Sequence, residues 1–227
     1  MFNKRVLIIS PHQDDEIIGC GGLIQKVLQD KGEVFVCHGT MVGGQYIKYD
    51  KAKQEYTVYS GKMRMKEMED SLKILSYNGI INVTLPLFEE SFHHKLDTIS
   101  LADIVSRIEE QIEIVKPHLL LIPACSWDQD HEALNRACLS VMRPHFFNGA
   151  VLEYEAVGEQ AFTPNFYLEL TDKMLEKKLE AINCYKTQNS GNLHQVSVPA
   201  LETRAEVRGR DIYTNFAEAF TIKRLSV

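Results

Sequence analysis

Residues 5–22, RVLIISPHQDDEIIGCGG, constrain this chain more than any other stretch. RVLII (Arg5 to Ile9) is a short unbroken apolar run, the pattern of a strand buried on both faces of a sheet. Directly after it come His12, Asp14, Asp15 and Glu16, four ionisable residues in five positions. Carboxylates crowded in this way repel one another and are costly to take out of water, so a buried loop of this kind needs a cation to offset them. From Ile17 onward, Ile17, Gly21, Ile24 and Leu28 recur at helical spacing, with Gly32 as the expected stop. A buried strand, a charged loop and a helix open an α/β unit.

The same alternation continues. EVFVCH (33–38), GIINVTL (79–85) and HLLLIP (118–123) read as strands. Met65, Met68, Leu72 and Leu75 mark one helix, and Ile104, Ile108, Ile112 and Val115 mark another that stops before Pro117. The loop ACSWDQDH leads into a further helix, EALNRACLSVM. This order predicts an α/β fold with a Rossmann-like, mostly parallel sheet flanked by helices. After about residue 145 the pattern loosens into a C-terminal extension. There AVLEYEAV, FYLEL and NFAEAFTIKRL read as strands, and TDKMLEKKLEAINCYK as a helix with Thr171 as its N-cap. Residues 39–61 show no period and read as a long loop, a feature that often covers active sites. No repeat or linker divides the chain, so residues 1–227 are read as one domain.

A net charge of -6 disfavours a general nucleic-acid role, because phosphate binding wants a basic footprint. The five cysteines form no CxxC and mostly sit in apolar runs, as reduced core residues do. MFNKRVLIIS is too short for a signal peptide, and no run reaches the roughly 18 apolar residues of a membrane span. The cytoplasm is the expected compartment, and self-association is left open.

In open α/β sheets, ligands bind beyond the carboxyl ends of the strands. Three charged loops fall there: 10–16, His38, and 128–131. A lone His-x-x-Asp usually caps a helix or pairs on a surface. Here it is joined by a second cluster, Asp128, Asp130 and His131, after another buried strand. His12, Asp15 and His131 would offer two nitrogens and one carboxylate oxygen with a coordination position left open, as in catalytic zinc sites. The same set suits Fe(II), including that of an oxygenase, which the βα alternation disfavours. Glu16, at the helix start, reads as a supporting residue. Gly19, Gly21 and Gly22 lack the G-x-G-x-x-G spacing of a dinucleotide loop and read as close helix packing.

PHQDDE with GCGG, followed by KPHLLLIPACSWDQDH, resembles the LmbE-like or PIG-L family of zinc-dependent N-deacetylases. RMKEMEDSLKIL resembles the family's Arg-x-x-Glu helix, CYKTQ its Tyr-x-Ser-Gln segment with Thr187 for Ser, and RGRDIYTNFAEAF its C-terminal stretch. The resemblance implies zinc held by His12, Asp15 and His131, with Asp14 as general base. It also implies Arg64 as a substrate contact and Asp130 as an orienting residue. The implied reaction removes the N-acetyl group from a small amino sugar or an N-acetylglucosamine-type conjugate. From the residues alone, Asp14 could equally be a ligand or helix cap, and Arg64 could pair with Glu67 on a solvated face.

The chain departs from the family at Asp128, where many relatives carry a histidine that protonates the leaving amine or stabilises the oxyanion. Three expectations follow: Asp14 shuttles the proton both ways, another histidine (His38, His93, His94 or His194) substitutes, or the chain binds a sugar or partner without turnover. His118 and His145 carry no signal. Tyr46, Tyr49, Tyr56 and Tyr59 in the long loop could stack on a sugar or pack on the surface.

Overall fold

The computed structural model describes residues 2–42, 45–50, 54–158, 162–188 and 191–226. A seven-stranded sheet forms the centre. Its parallel part consists of β1 (Arg5–Ser10), β2 (Glu33–His38), β5 (Ile81–Val83), β6 (Leu119–Pro123) and β7 (Ala150–Tyr154). At one edge, β9 (Phe216–Arg224) runs antiparallel to β7, and β8 (Phe166–Leu170) antiparallel to β9. The strand order is β5-β2-β1-β6-β7-β9-β8.

β1 behaves as its composition demands. Val6 and Ile8 join the core on one face, Leu7 and Ile9 the core on the other, and all four are fully buried. α1 (Asp15–Gln29), α2 (Gly61–Leu75) and α5 (Asp172–Ile182) pack on the first face. α3 (Leu101–Val115) and α4 (Gln129–Val141) pack on the second. The chain leaves β1 for β2 on one side of the sheet, while β6 joins β1 on the other. The loops ending β1 and β6 therefore part at the point where strand order reverses, which opens a crevice in such sheets.

Several expectations need correction. The stretch read as a long loop contains an antiparallel hairpin, β3 (Gln45–Asp50) and β4 (Glu55–Ser60), in register from Gln45↔Ser60 to Asp50↔Glu55. Gly32 does not end α1 as the left-handed residue. Lys31 does so at φ 61, with Lys31 N–H bonded to Leu28 O and Gly32 N–H to Val27 O, a Schellman motif carried by lysine. The third strand shrinks to Ile81–Val83. α6 (Val198–Arg210) lies where no helix was expected, capped by Ser197 Oγ accepting from Ala200 N. Thr171 caps α5 as expected, accepting from Met174 N.

Two glycines of α1 are packing devices. A Cβ on Gly19 would come within 2.2 Å of the Tyr154 ring, whose hydroxyl donates to Ile9 O at 2.9 Å. Gly22 admits Glu218 of β9, whose carboxylate accepts from Gly22 N at 2.6 Å, Leu23 N at 2.9 Å and Lys178 Nζ at 2.7 Å. The antiparallel edge thus grips the helix that starts at the charged loop. All five cysteines are free thiols, with Cys20, Cys37 and Cys138 buried. No helix among the described residues is long and apolar enough to cross a membrane.

Candidate active site

The β1–α1 loop is built around Glu16. This residue is fully buried. Its Oε2 accepts from Ser10 Oγ and from Asp14 N, both at 3.1 Å, and lies 3.3 Å from His38 Nε2. Its Oε1 accepts from the Tyr185 hydroxyl at 3.2 Å. Burial opposes the charge on Glu16, but His38 and the hydrogen bonds outweigh it and hold the carboxyl below its usual range. His38, considered as a substitute for the motif histidine, is instead a buried partner of Glu16. It does not line the cavity described below. This framework holds Asp14 at φ 143, a conformation L residues rarely adopt.

The crevice brings His12, Asp15 and His131 together. One atom from each lies within 4.8 Å of the others. Asp15 Oδ2 sits 3.5 Å from His12 Nδ1 and 3.3 Å from His131 Nε2, and accepts from His12 N at 3.0 Å. His12 Nε2 faces Asp130 Oδ2 at 3.0 Å, and the tautomer protonated there donates to Asp130 and leaves Nδ1 on the Asp15 side. Asp130 is fully buried and also accepts from His94 N at 2.8 Å and Leu96 N at 2.9 Å. Burial disfavours charge on His12, yet Asp130 and Asp15 raise its pKa to about 10. His131 is raised too, with Asp15 overcoming its burial. The burial of Asp15 is likewise outweighed, by His131 and His12, which hold its carboxyl well below the usual range. The cluster demands positive charge, and two imidazoles with one carboxylate are the donor types that a divalent cation takes. The residues therefore fit a metal.

Asp14 differs from its neighbours. Among the described residues its carboxylate accepts no hydrogen bond, and its nearest charge is Arg64 Nη2 at 3.6 Å. Burial pushes its pKa up to about 7, with Asp15 and Glu16 adding to the effect and Arg64 opposing it. Arg64 is 3% exposed, donates to Gln13 O, and lies 3.8 Å from Glu67 and 5.1 Å from the centre of the Tyr185 ring. The Arg64–Glu67 pair does form, but inside the protein rather than on a solvated face. Glu67 is held in turn by Thr187, through its N–H at 2.8 Å and its hydroxyl at 2.6 Å.

His12, Asp14, Asp15, Arg64 and His131 share one cavity of about 480 Å³. His93, His94 and Asp128 line it as well, and Val157 and Val196 add apolar wall. Asp128 caps α4, its Oδ1 accepting from Asp130 N at 2.9 Å, while its Oδ2 lies 3.6 Å from His94 Nδ1. Burial opposes its charge, but the nearby His94 and His12 imidazoles hold the carboxyl well below the usual range. The His93 and His94 rings each lie 5.0 Å from that of His12. Their sequence, a polar stretch before a helix, carries little sign of this. What brings them in is the capture of the His94 and Leu96 N–H groups by Asp130. His194 does not line the cavity, nor do the described hairpin tyrosines. Tyr49 and Tyr56 pack on each other with ring centres 5.2 Å apart. The Tyr46 side chain lies outside the described residues.

The chain aligns over 94% of its length with a probable N-acetyl-alpha-D-glucosaminyl L-malate deacetylase 2 of Bacillus cereus, at 26% identity and 93% coverage of that protein. A 39-residue stretch is 44% identical to a putative glucosamine-6-phosphate deaminase-like protein of Bacteroides thetaiotaomicron, spanning 17% of this chain and only 6% of that protein. Among solved structures, the A40926 pseudoaglycone deacetylase Dbv21 superposes with a TM-score of 0.74 at 20% identity, covering 98% of both chains. The N,N'-diacetylchitobiose deacetylase of Pyrococcus horikoshii does so with a TM-score of 0.68 at 23% identity, covering 96% of this chain and 83% of that one. The sequence model of the PIG-L family, described as GlcNAc-PI de-N-acetylase, matches residues 7–142 of the 227. That match spans β1 through α4 and takes in both charged loops, so this chain belongs to the PIG-L family.

Proposed function

We propose that this protein is a zinc-dependent hydrolase that removes the N-acetyl group from an amino sugar or an N-acetylglucosamine-type conjugate. One observation carries the reading: a buried carboxylate that accepts no hydrogen bond among the described residues, Asp14, shares a cavity with two imidazoles and a carboxylate suited to a divalent cation. Family membership and the deacetylases among its relatives support the reaction class.

His12, Asp15 and His131 would hold the zinc. When bound, zinc supplies Lewis acidity, lowering the pKa of water toward about 7 and polarising a carbonyl. Asp14 accepts the proton of the attacking water on a carboxylate oxygen and returns it to the departing amine. Burial, which favours the protonated form of Asp14, suits a carboxylate that takes up a proton and gives it back. Arg64 keeps Asp14 oriented and contributes a cation beside the substrate. Asp130 fixes the His12 ring by accepting from Nε2. His94, braced by Asp128, contributes an imidazole to the cavity of a chain whose motif lacks the usual histidine. That observation favours turnover over a binding-only role. A cavity of about 480 Å³ suits one amino-sugar residue, and volumes of roughly 300–1,000 Å³ are usual for small-molecule sites.

The test is acetate release from a panel of N-acetylated amino sugars by zinc-loaded protein. Release is expected from at least one member, lost on chelation and restored by zinc. Zinc-loaded protein that releases acetate from none of them would leave a sugar-binding protein without catalysis.

A further inference from the structure

Trp127 is the only tryptophan in the chain, and it is 77% exposed. Exposed apolar side chains are common on this surface, but an indole beside a ligand cavity is a ready stacking surface. Its position is defined by two other loops. Trp127 N–H donates to Gly158 O at 3.1 Å, and the ring lies over Gly158, where an added Cβ would meet Trp127 Cε3 at 3.6 Å and Gln195 Oε1 at 3.9 Å. Each of these residues is the chain neighbour of one that lines the cavity: Asp128 after Trp127, Val157 before Gly158, Val196 after Gln195. Trp127 does not line the cavity itself but stands next to it, where three of its loops meet.

From this we infer that Trp127 forms an outer subsite that holds a second sugar ring of the substrate, next to the residue being deacetylated. The inference rests on the proposed deacetylase reading for the identity of the inner residue. The surroundings favour a carbohydrate as the occupant. A pyranose presents a flat C–H face that lies against an indole, and its rim of hydroxyls can reach polar groups. Asp128, the next residue in the chain, lines the cavity, and Gln195 Oε1 and the indole both lie beside Gly158. A purely apolar partner would strip water from Asp128 and Gln195 and return no hydrogen bond, a costly arrangement. The preferred substrate is therefore an amino sugar joined to another sugar, not a free monosaccharide.

Because Trp127 is the only tryptophan, emission excited at the red edge where tyrosine does not absorb reads this position alone. Zinc-loaded Asp14→Asn protein, which spares the sugar from turnover, is titrated with N-acetylglucosamine and with its β-1,4-linked dimer. The dimer is expected to change the emission and to bind about tenfold more tightly than the monomer, an ordinary gain for one aromatic contact. Calorimetry on Asp14→Asn/Trp127→Ala should show that preference lost, and Trp127→Phe should retain most of it. A dimer that leaves the emission unchanged, or a preference that survives Trp127→Ala, overturns the subsite. Acetate release by the unmutated protein is scored separately. Emission change without acetate release keeps the subsite and removes the deacetylase reading, and the converse keeps the reading and removes the subsite.

Discussion

The β1–α1 and β6–α4 loops follow neighbouring parallel strands, face one crevice and carry two or more acidic residues each, yet one carboxylate of the first, Asp14, is held quite differently from both carboxylates of the second. In the β6–α4 loop, Asp128 accepts from Asp130 N, and Asp130 accepts from the N–H groups of His94 and Leu96. Such bonds fix both carboxylates in place, and the carboxyl of Asp128 is held well below its usual range. In the β1–α1 loop, Asp14 accepts no hydrogen bond among the described residues, is buried, and has its pKa pushed up to about 7. Its backbone is held at φ 143, with its N–H donated to Glu16. One loop is a frame, and the other presents a basic carboxylate. The strain lies on the second, where the proposed chemistry is.

The largest effect that can break this comparison comes from the residue facing both loops. Asp15→Ala removes the oxygen lying between His12 Nδ1 and His131 Nε2. Bound zinc and acetate release should both be lost, as read by elemental analysis and an acetate assay on one sample. Next, His94→Gln should lower kcat by about 100-fold with zinc content unchanged, the usual scale for one hydrogen-bond donor to a developing oxyanion. A variant with full activity would remove His94 from the reaction. Asp130→Ala tests the frame. It strands two backbone N–H groups and releases His12, and should cost roughly 2–4 kcal/mol of stability in denaturant unfolding. A loss under about 0.5 kcal/mol, the scale of an ordinary surface change, would show that this loop is not held as described. The smallest effect isolates the strain. Asp14→Gly and Asp14→Ala both lack the carboxylate, so the glycine variant should be the more stable by about 1 kcal/mol. Equal stabilities would mean that the backbone there is relaxed.

Much of this was legible in the sequence, because the signals were local. RVLII and HLLLIP are apolar enough to be read as strands buried on both faces, and two clusters of His and Asp at their ends mark the crevice. What escaped had non-local causes. In the hairpin, β4 buries none of its residues and exposes Tyr56 and Val58, so no buried face imposes an alternating pattern on that strand. α6 buries Leu201, Ala205 and Gly209, a stripe too small and weakly apolar to show as a period. Lys31 takes the left-handed position because a Cβ at Gly32 would come within 2.2 Å of Phe2 O, so the glycine there answers to packing rather than to the helix stop. His94 enters the cavity through its backbone N–H, which side-chain chemistry does not advertise. The absence of a motif histidine at position 128 was plain from the sequence, while the imidazole beside it is a product of the fold.

The most direct test of the account pairs two quantities on the same preparations: zinc per chain and acetate released from the best N-acetyl sugar, for the unmutated protein and for Asp14→Asn. The account predicts equal zinc in both and a loss of acetate release on the order of 10²–10⁴-fold in the variant. Equal zinc with equal acetate release would contradict it, because Asp14 would then take no part in the chemistry.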